Sequence, residues 1–129
     1  MANRAPDWLS QSGHDLDHAR HALEAGDYDW ACFAAHQSAE KAVKALIFGL
    51  NGEAWGHAVV RLLEDLQEHL DLNDELFDAA RRLDKHYIPT RYPDGFDTGA
   101  PFDYYTEAEA QQALQDAQRI HRTAEQSLP

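Results

Sequence analysis

The side chains best suited to chemistry in this sequence lie in one short basic segment, residues 81–91. Against the single acid Asp84 it holds Arg81, Arg82, Lys85, His86 and Arg91. Arginine carries a permanent charge on a planar fork that fits phosphate oxygens, and histidine, with a pKa of about 6.5, can take or give a proton near neutral pH. Cleavage of RNA without a metal needs both a proton carrier and a positive charge over the phosphoryl oxygens. The segment therefore predicts contact with a phosphate group.

The rest of the chain is acidic, because the 129 residues together carry a formal charge of −12. General binding to DNA needs many cations that displace counterions from phosphates, so that class of function is not expected. The apolar runs are too short to span a bilayer, and residues 1–10 lack the basic and apolar pattern of a secretory signal. We expect a cytoplasmic protein with no membrane segment, folded as one domain over residues 1–129.

Apolar residues recur every three or four positions over most of the chain, which predicts five helices at residues 7–25, 28–50, 59–70, 73–87 and 106–124. Gly26 and Pro89 are natural ends for the first and fourth helices. Thr106 and Glu109 form a capping box that begins the last. Short links between amphipathic helices predict an all-α fold, an up-and-down antiparallel helical bundle of four to five helices.

A long loop is predicted between the last two helices, at residues 88–105. It holds three prolines and two glycines, interleaved with the aromatic residues Tyr92, Phe96, Phe102, Tyr104 and Tyr105. These rings could stack on bases or could pin the loop to the bundle. Within the loop, Arg91 could bind an anion, stack on a ring, or pair with Asp94 or Asp97.

Two stretches resemble the HEPN family of helical bundles. In the second helix, Gln37, Glu40 and Lys41 are similar to the Gln-x-x-Glu-Lys segment of HEPN domains. Residues 83–94, LDKHYIPTRYPD, are similar to the Tyr-Ile-Pro-x-Arg-Tyr-Pro-Asp segment of a small prokaryotic branch of the family. The resemblance implies a bundle that forms a homodimer, and a minimal nucleotidyltransferase as the partner in a toxin–antitoxin-like pair.

Many HEPN proteins are metal-independent ribonucleases, with an arginine and a histidine separated by four to six residues. Arg81 and His86 match this signature with four residues between them, whereas Arg82 has three. On a helix, Arg82 would instead share a face with His86, so Arg82 is the better candidate for substrate contact. Ile88 stands where the branch modified by adenylylation has a tyrosine. A two-fold dimer would bring two copies of His86 together.

The candidate residues for binding a nucleotide or RNA are Lys41, Lys44, Lys85, Arg91 and Tyr92. Lys41 and Lys44 could line a phosphate-binding groove. Alternatively, Glu40 and Lys44 form a simple pair on a solvated helix face.

No metal and no cofactor are expected. His14, His18 and His21 fall opposite the apolar stripe of the first helix, which predicts that they face solvent. Cys32 falls on the core stripe of the second helix and is expected to be a buried apolar residue, not a nucleophile. Trp8, Trp30 and Trp55 are expected in the core or at a dimer contact.

These observations predict a dimeric HEPN-like protein that binds a nucleotide or RNA at residues 81–91, with Arg81, Arg82 and His86 as candidate catalytic residues for RNA cleavage. One alternative is a non-catalytic nucleotide-binding or partner-docking dimerisation module. Another is an acidic helical adaptor without affinity for nucleotides. RNA digestion separates the first from the second, and titration with ATP or RNA tests the third.

Overall fold

Helices make up most of the structure, a computed structural model that describes residues 3–128. Its six helices in this range are α1 (Ala5–Ala25), α2 (Tyr28–Gly49), α3 (Val59–Leu66), α4 (Asp74–Asp84), α5 (Pro101–Tyr104) and α6 (Glu107–Ser127). A short 3-10 turn lies at Pro93–Gly95. No strand occurs in the described range, so the predicted all-α helical bundle is confirmed.

The turn between α1 and α2 folds the two longest helices back on each other. Gly26 has a φ of 82°, a left-handed conformation that glycine adopts without steric cost. The amide of Asp27 donates to the carbonyl of Ala22 at 2.8 Å and closes the end of α1. The two helices therefore pack antiparallel along most of their lengths.

The core is built around α2, which packs against α1, α3, α4 and α6. Small residues on α2, including Ala35, Ala39 and Ala42, are fully buried and allow the neighbouring helices to approach closely. Leucine and isoleucine from the other helices fill the space between them, among them Leu62, Leu66, Leu83 and Ile120.

Two helices end earlier than the sequence predicts. α3 ends at Leu66 and α4 at Asp84, whereas the apolar pattern predicted ends at Leu70 and Tyr87. After α4 the chain continues as turns, and the amide of His86 bonds to the carbonyl three residues back, on Leu83. Pro89 disfavours helical geometry at the residue before it, and apolar spacing alone does not detect such an early end. His86 and Arg91 therefore project from turns and not from a helix.

The predicted loop at residues 88–105 contains one turn of helix, α5, and is held together by its own side chains. Phe96 and Tyr104 stack with ring centroids 4.4 Å apart. The amide of Ala100 bonds to the Asp103 carboxylate at 2.9 Å. This stacking joins two residues of the loop and does not pin the loop to the bundle, and Tyr92 is 48% exposed. None of the helices in the described part of the chain combines the length and apolar character needed to cross a bilayer.

Candidate functional site

Arg91 lies in a cluster of aromatic rings where the turns after α4 meet α2. The centre of its guanidinium is 4.5 Å from the ring centroid of Phe33, 4.7 Å from that of Tyr87 and 5.1 Å from that of Tyr92. Its Nε and Nη2 atoms donate to the carbonyl of Tyr87 at 3.0 and 2.7 Å. These contacts fix the orientation of the guanidinium plane.

The other edge of the Arg91 guanidinium remains open. The ion pairs within residues 3–128 do not include Arg91, so the predicted alternative of a salt bridge to Asp94 or Asp97 is wrong. No hydrogen bond in that range uses its Nη1. A guanidinium in this state can donate to an anion such as phosphate without first losing a carboxylate partner.

A shallow groove of about 250 Å³ lies beside this cluster and shares Phe33 with it. Trp30 forms one wall, 50% exposed, and meets Phe33 edge to face at 6.1 Å. We name the set Trp30, Phe33, Tyr87, Arg91 and Tyr92 the Arg91 surface. Exposed rings beside a cation are the arrangement that stacks bases and holds the backbone of single-stranded nucleic acids.

Lys41 also lines the groove, but it is already paired. Its Nζ donates to the Asp15 carboxylate at 2.7 Å, and both side chains are mostly buried. Lys41 therefore contributes less positive charge to the groove than the sequence suggested.

The ring of Tyr87 contacts a row of three hydrogen-bonded side chains, His57, Glu40 and Lys44. The ring of His57 stacks on Tyr87 with centroids 4.9 Å apart and an interplanar angle of 18°. Its Nδ1 is 3.0 Å from one Glu40 oxygen, and Lys44 donates to the other at 3.1 Å. Glu40 and Lys44 therefore pair as predicted, but they are 5% and 8% exposed, so the prediction that the pair lies on a solvated face is wrong. Helices cover α2 on several sides, which buries its polar stripe and keeps Lys44 from a phosphate groove.

The two arginines of α4 are bound to carboxylates. Arg82 donates from Nε and Nη2 to both oxygens of Asp116 on α6, each at 2.8 Å. This hydrogen-bonded contact raises the pKa of Arg82, and Asp116 is only 2% exposed. Arg81 donates to Asp78 on its own helix at 3.0 Å. Because α4 ends at Asp84, Arg82 and His86 do not lie on a common helical face as predicted.

His86 is half-buried near the start of α6, with its Nδ1 3.3 Å from the hydroxyl of Tyr105. Burial lowers the pKa of His86, and the opposing charge of Glu109 only partly offsets this. The imidazole is therefore neutral at pH 7 and can accept a proton.

Cys32 is fully buried on α2, as predicted. Burial, helped by the charges of Glu109 and Asp29, raises the pKa of its thiol to about 12. A thiol in this state is protonated and is a poor nucleophile at neutral pH.

The structure thus separates the predicted site residues. Lys85 is exposed, and Arg82 and His86 face α6 and Tyr105. Arg91 packs on Phe33 of α2 and on Tyr92. Within residues 3–128 no group of three His, Cys, Asp or Glu side chains could hold a metal ion, and His14, His18 and His21 are exposed on α1.

Sequence reasoning missed Phe33 and His57, which complete the surroundings of Tyr87. Phe33 lies four residues before Gln37 on α2, so its helical spacing was an available signal. No local pattern marks His57, because its partner Glu40 is 17 residues away.

The sequence profile of the HEPN domain matches residues 5–127. The chain is 25% identical over 123 residues to a Methanocaldococcus jannaschii protein named "Putative toxin MJ1304", with 88% of this chain and 80% of that protein covered.

Solved structures agree. The chain is similar to TT1696 from Thermus thermophilus, with 50% identity, a TM-score of 0.94, and 97% and 98% of the two chains covered. It is similar to ST0689, an archaeal HEPN homologue, with 37% identity, a TM-score of 0.84 and both chains fully covered. A HEPN domain protein of Thermotoga maritima shares 36% identity with a TM-score of 0.76, over 93% and 95% of the two chains. A match over nearly all of the described helices, in sequence and in fold, shows that the chain belongs to the HEPN domain family.

Proposed function

We propose that this HEPN protein binds single-stranded RNA or a nucleotide at the Arg91 surface. The observation that carries the proposal is a guanidinium oriented by three rings and a carbonyl, with its remaining edge unpaired within residues 3–128. In the bound state, the open edge of Arg91 contacts a phosphate group, and a base stacks on Tyr92 or Trp30, whose rings are about half exposed.

The other predicted binding residues contribute less to the binding of RNA than Arg91 does. Lys85 is exposed next to His86 and adds positive charge along the same turn. Lys41 lines the groove that includes Phe33, and there Asp15 offsets its charge. Binding therefore depends on one arginine and several rings more than on a broad basic patch, which agrees with the net charge of −12.

We further propose that the chain is the HEPN half of a toxin–antitoxin-like pair in the cytoplasm. The Methanocaldococcus jannaschii relative bears the name of a toxin, and the family resemblance implies a minimal nucleotidyltransferase as the partner. A homodimer is also proposed, because large apolar side chains are exposed, including Trp55 and, next to Tyr87 in the chain, Ile88.

Binding can be measured by fluorescence anisotropy with a short labelled oligoribonucleotide and by calorimetry with ATP. Arg91→Ala should weaken RNA binding by about 10-fold or more, because a hydrogen bond to a charged group contributes about 1.5–3 kcal/mol. Arg122→Ala is the matched control, since it removes one exposed arginine from α6, away from the rings. An equal loss of RNA affinity in the two variants would show that the effect comes from net charge alone, and it would contradict the proposal.

Metal-independent RNA cleavage is the second candidate function, and the neutral imidazole of His86 favours it. The ion pair between Arg82 and Asp116 favours the non-catalytic module instead. Arg82 was expected to stabilise the negative charge on the phosphoryl oxygens during cleavage by His86, and it is bound to a carboxylate. The wild type and His86→Ala should be incubated with RNA in chelator. Equal residual activity would remove His86 from the mechanism.

A further inference from the structure

One histidine outside the basic segment stands beside the Arg91 surface in the geometry of an acid–base residue. We propose that His57, oriented by Glu40, carries the proton in a metal-independent cleavage of RNA bound at this surface. The inference rests on the RNA binding proposed above and assigns the chemistry to a residue other than His86.

The ring of His57 is held although it is exposed. Its side chain is 56% exposed, yet stacking on Tyr87 fixes the ring plane and the bond to Glu40 fixes its rotation within that plane. An exposed histidine without such contacts samples several rotamers. These two contacts therefore hold the ring of His57 in one orientation and keep its second nitrogen, Nε2, in a constant position.

Glu40 also decides which nitrogen of His57 can react. An ionised carboxylate only accepts hydrogen bonds, so Nδ1 of His57 carries the proton that it donates to Glu40. In the neutral ring this leaves the lone pair on Nε2, which has no hydrogen-bond partner within residues 3–128. Lys44 holds the second oxygen of Glu40, so the carboxylate keeps its orientation. The same order, a buried carboxylate followed by an imidazole with an outward nitrogen, orients histidines that act as bases.

The cation that such a reaction needs contacts the same aromatic ring as His57. His57 and Arg91 both lie against the ring of Tyr87, at 4.9 and 4.7 Å from its centroid. A proton acceptor and an unpaired guanidinium therefore flank one side chain. The two arginines that were expected to act with His86, by contrast, are paired with carboxylates: Arg82 with Asp116 and Arg81 with Asp78.

The reaction would be an internal transfer within the RNA. Nε2 of His57 takes the proton of the 2′-hydroxyl while the 2′-oxygen forms a bond to phosphorus, and Arg91 stabilises the charge on the phosphoryl oxygens. The bond from phosphorus to the 5′-oxygen breaks, and that oxygen takes a proton from water. The imidazolium returns its proton to the solvent. The products are a 2′,3′-cyclic phosphate and a 5′-hydroxyl, and no other reactant is consumed.

The decisive variant is His57→Gln in the full-length chain, with His69→Gln as its control. His69 is likewise exposed and follows α3 where His57 precedes it. A labelled oligoribonucleotide in chelator gives the single-turnover rate and the product ends, while anisotropy gives the affinity and circular dichroism the melting temperature. We expect His57→Gln to slow cleavage by about 100-fold or more with RNA affinity retained, because general acid–base catalysis contributes about 10²–10⁴-fold. His69→Gln should cleave like the wild type.

The outcomes are distinct. If the wild type binds RNA without cleaving it, or if His57→Gln cleaves at the wild-type rate, this inference is overturned and the binding function survives. If the wild type does not bind RNA, the proposed function itself fails. A His57 that only anchors the segment before α3 would change the melting temperature and leave the rate intact.

Glu40→Gln tests the positioning role through the split between rate and affinity. Loss of the carboxylate takes from Nδ1 of His57 the charged acceptor that orients the ring, so the single-turnover rate should fall while the RNA affinity stays at the wild-type value. An unchanged rate in a folded Glu40→Gln protein would overturn the role of Glu40. Should that variant not fold, the rate of His57→Gln still decides the inference.

Discussion

Arg82 and Arg91 carry the same side chain in opposite surroundings. Arg82 donates from Nε and Nη2 to both oxygens of Asp116, a buried carboxylate whose other donor is the neutral side-chain amide of Gln112. Removing the arginine would leave that charge in a poorly hydrated place. Arg91 meets rings and a carbonyl, none of which neutralises its charge. We therefore expect stability to depend on the first arginine and ligand binding on the second.

Arg82→Ala should lower the free energy of unfolding by about 1–3 kcal/mol. This is less than the loss from a fully buried pair, because water reaches about half of the Arg82 side chain. Urea denaturation measures the change, and Arg81→Ala is the control because its pair with Asp78 is exposed on both sides. A double-mutant cycle with Asp116→Ala should show coupling, and independent effects would contradict this account.

The stability of the protein should fall in acid partly through His86. Burial lowers its pKa in the folded state below the ordinary value of 6.5, so the unfolded chain binds the proton more readily. The stability is therefore fully present above pH 6.5 and decreases as the pH falls below it. His86→Gln should flatten this decrease, as measured by urea denaturation at a series of pH values below and above 6.5. An unchanged pH dependence in the variant would exclude His86 as the cause.

The sequence identified most of these charged residues as candidates but not their partners. Arg82 and Asp116 are 34 residues apart, and His36 and Asp84 are 48 apart. Helical periodicity predicts which face a side chain occupies, not which distant carboxylate meets it. The partly buried position of Arg91 and its stacking on Phe33 depend on where the turns after α4 return to α2, and no local pattern encodes that position.

At the scale of helices, Asp84 joins three elements at the end of α4. Its carboxylate accepts hydrogen bonds from the first two amides of α3, at Val59 and Val60, at 2.8 and 3.0 Å. It also bonds to the buried ring of His36 on α2 at 3.0 Å. The N-terminus of α3 has no cap from its own preceding residue, so a side chain from another helix supplies it.

Asp84→Ala should therefore cost more than the loss of an ordinary local cap. We expect a decrease of about 2–4 kcal/mol in the free energy of unfolding, because two amides and a buried imidazole lose their acceptor together. Asn73→Ala, which removes the local cap of α4, should cost about 1 kcal/mol. Hydrogen exchange at Val59 and Val60 should accelerate only in the first variant. Similar losses in the two variants would refute the linking role of Asp84.

Helix starts were predicted more accurately than helix ends. Asn73 and Thr106 were predicted as caps, and each accepts a hydrogen bond from the amide three residues later. The ends of α3 and α4 depend on tertiary contacts instead, and there the apolar spacing continues past the last helical residue. Tyr87 follows the predicted apolar stripe, yet it packs on Phe33 and His36 from a turn.

At the scale of the molecule, several exposed apolar side chains belong to the Arg91 surface or stand next to its residues in the sequence. Trp30, Ile88 and Tyr92 are each about half exposed, and Trp55 is more exposed still. Large apolar residues in this state are typical of surfaces that meet another protein. The net charge of −12 opposes self-association, so a dimer contact is most favourable where the local negative charge is smallest. The cations Lys85 and Arg91 are close in sequence to Ile88 and Tyr92 and reduce the negative charge in that segment.

Ile88→Glu should therefore dissociate the proposed homodimer. A carboxylate in the middle of an apolar contact would have to lose its hydration without gaining a partner, which costs more than a typical interface side chain contributes. Sedimentation equilibrium should show a dimer for the wild type and a monomer for the variant. Leu50→Glu is the control, because Leu50 is similarly exposed but lies at the opposite end of α2 from Trp30. A monomeric wild type would refute the homodimer, whereas an Ile88→Glu protein that remains dimeric would place the contact elsewhere. RNA binding by a monomeric variant would show in addition that one chain holds the whole site, because Arg91 takes its three rings from its own chain.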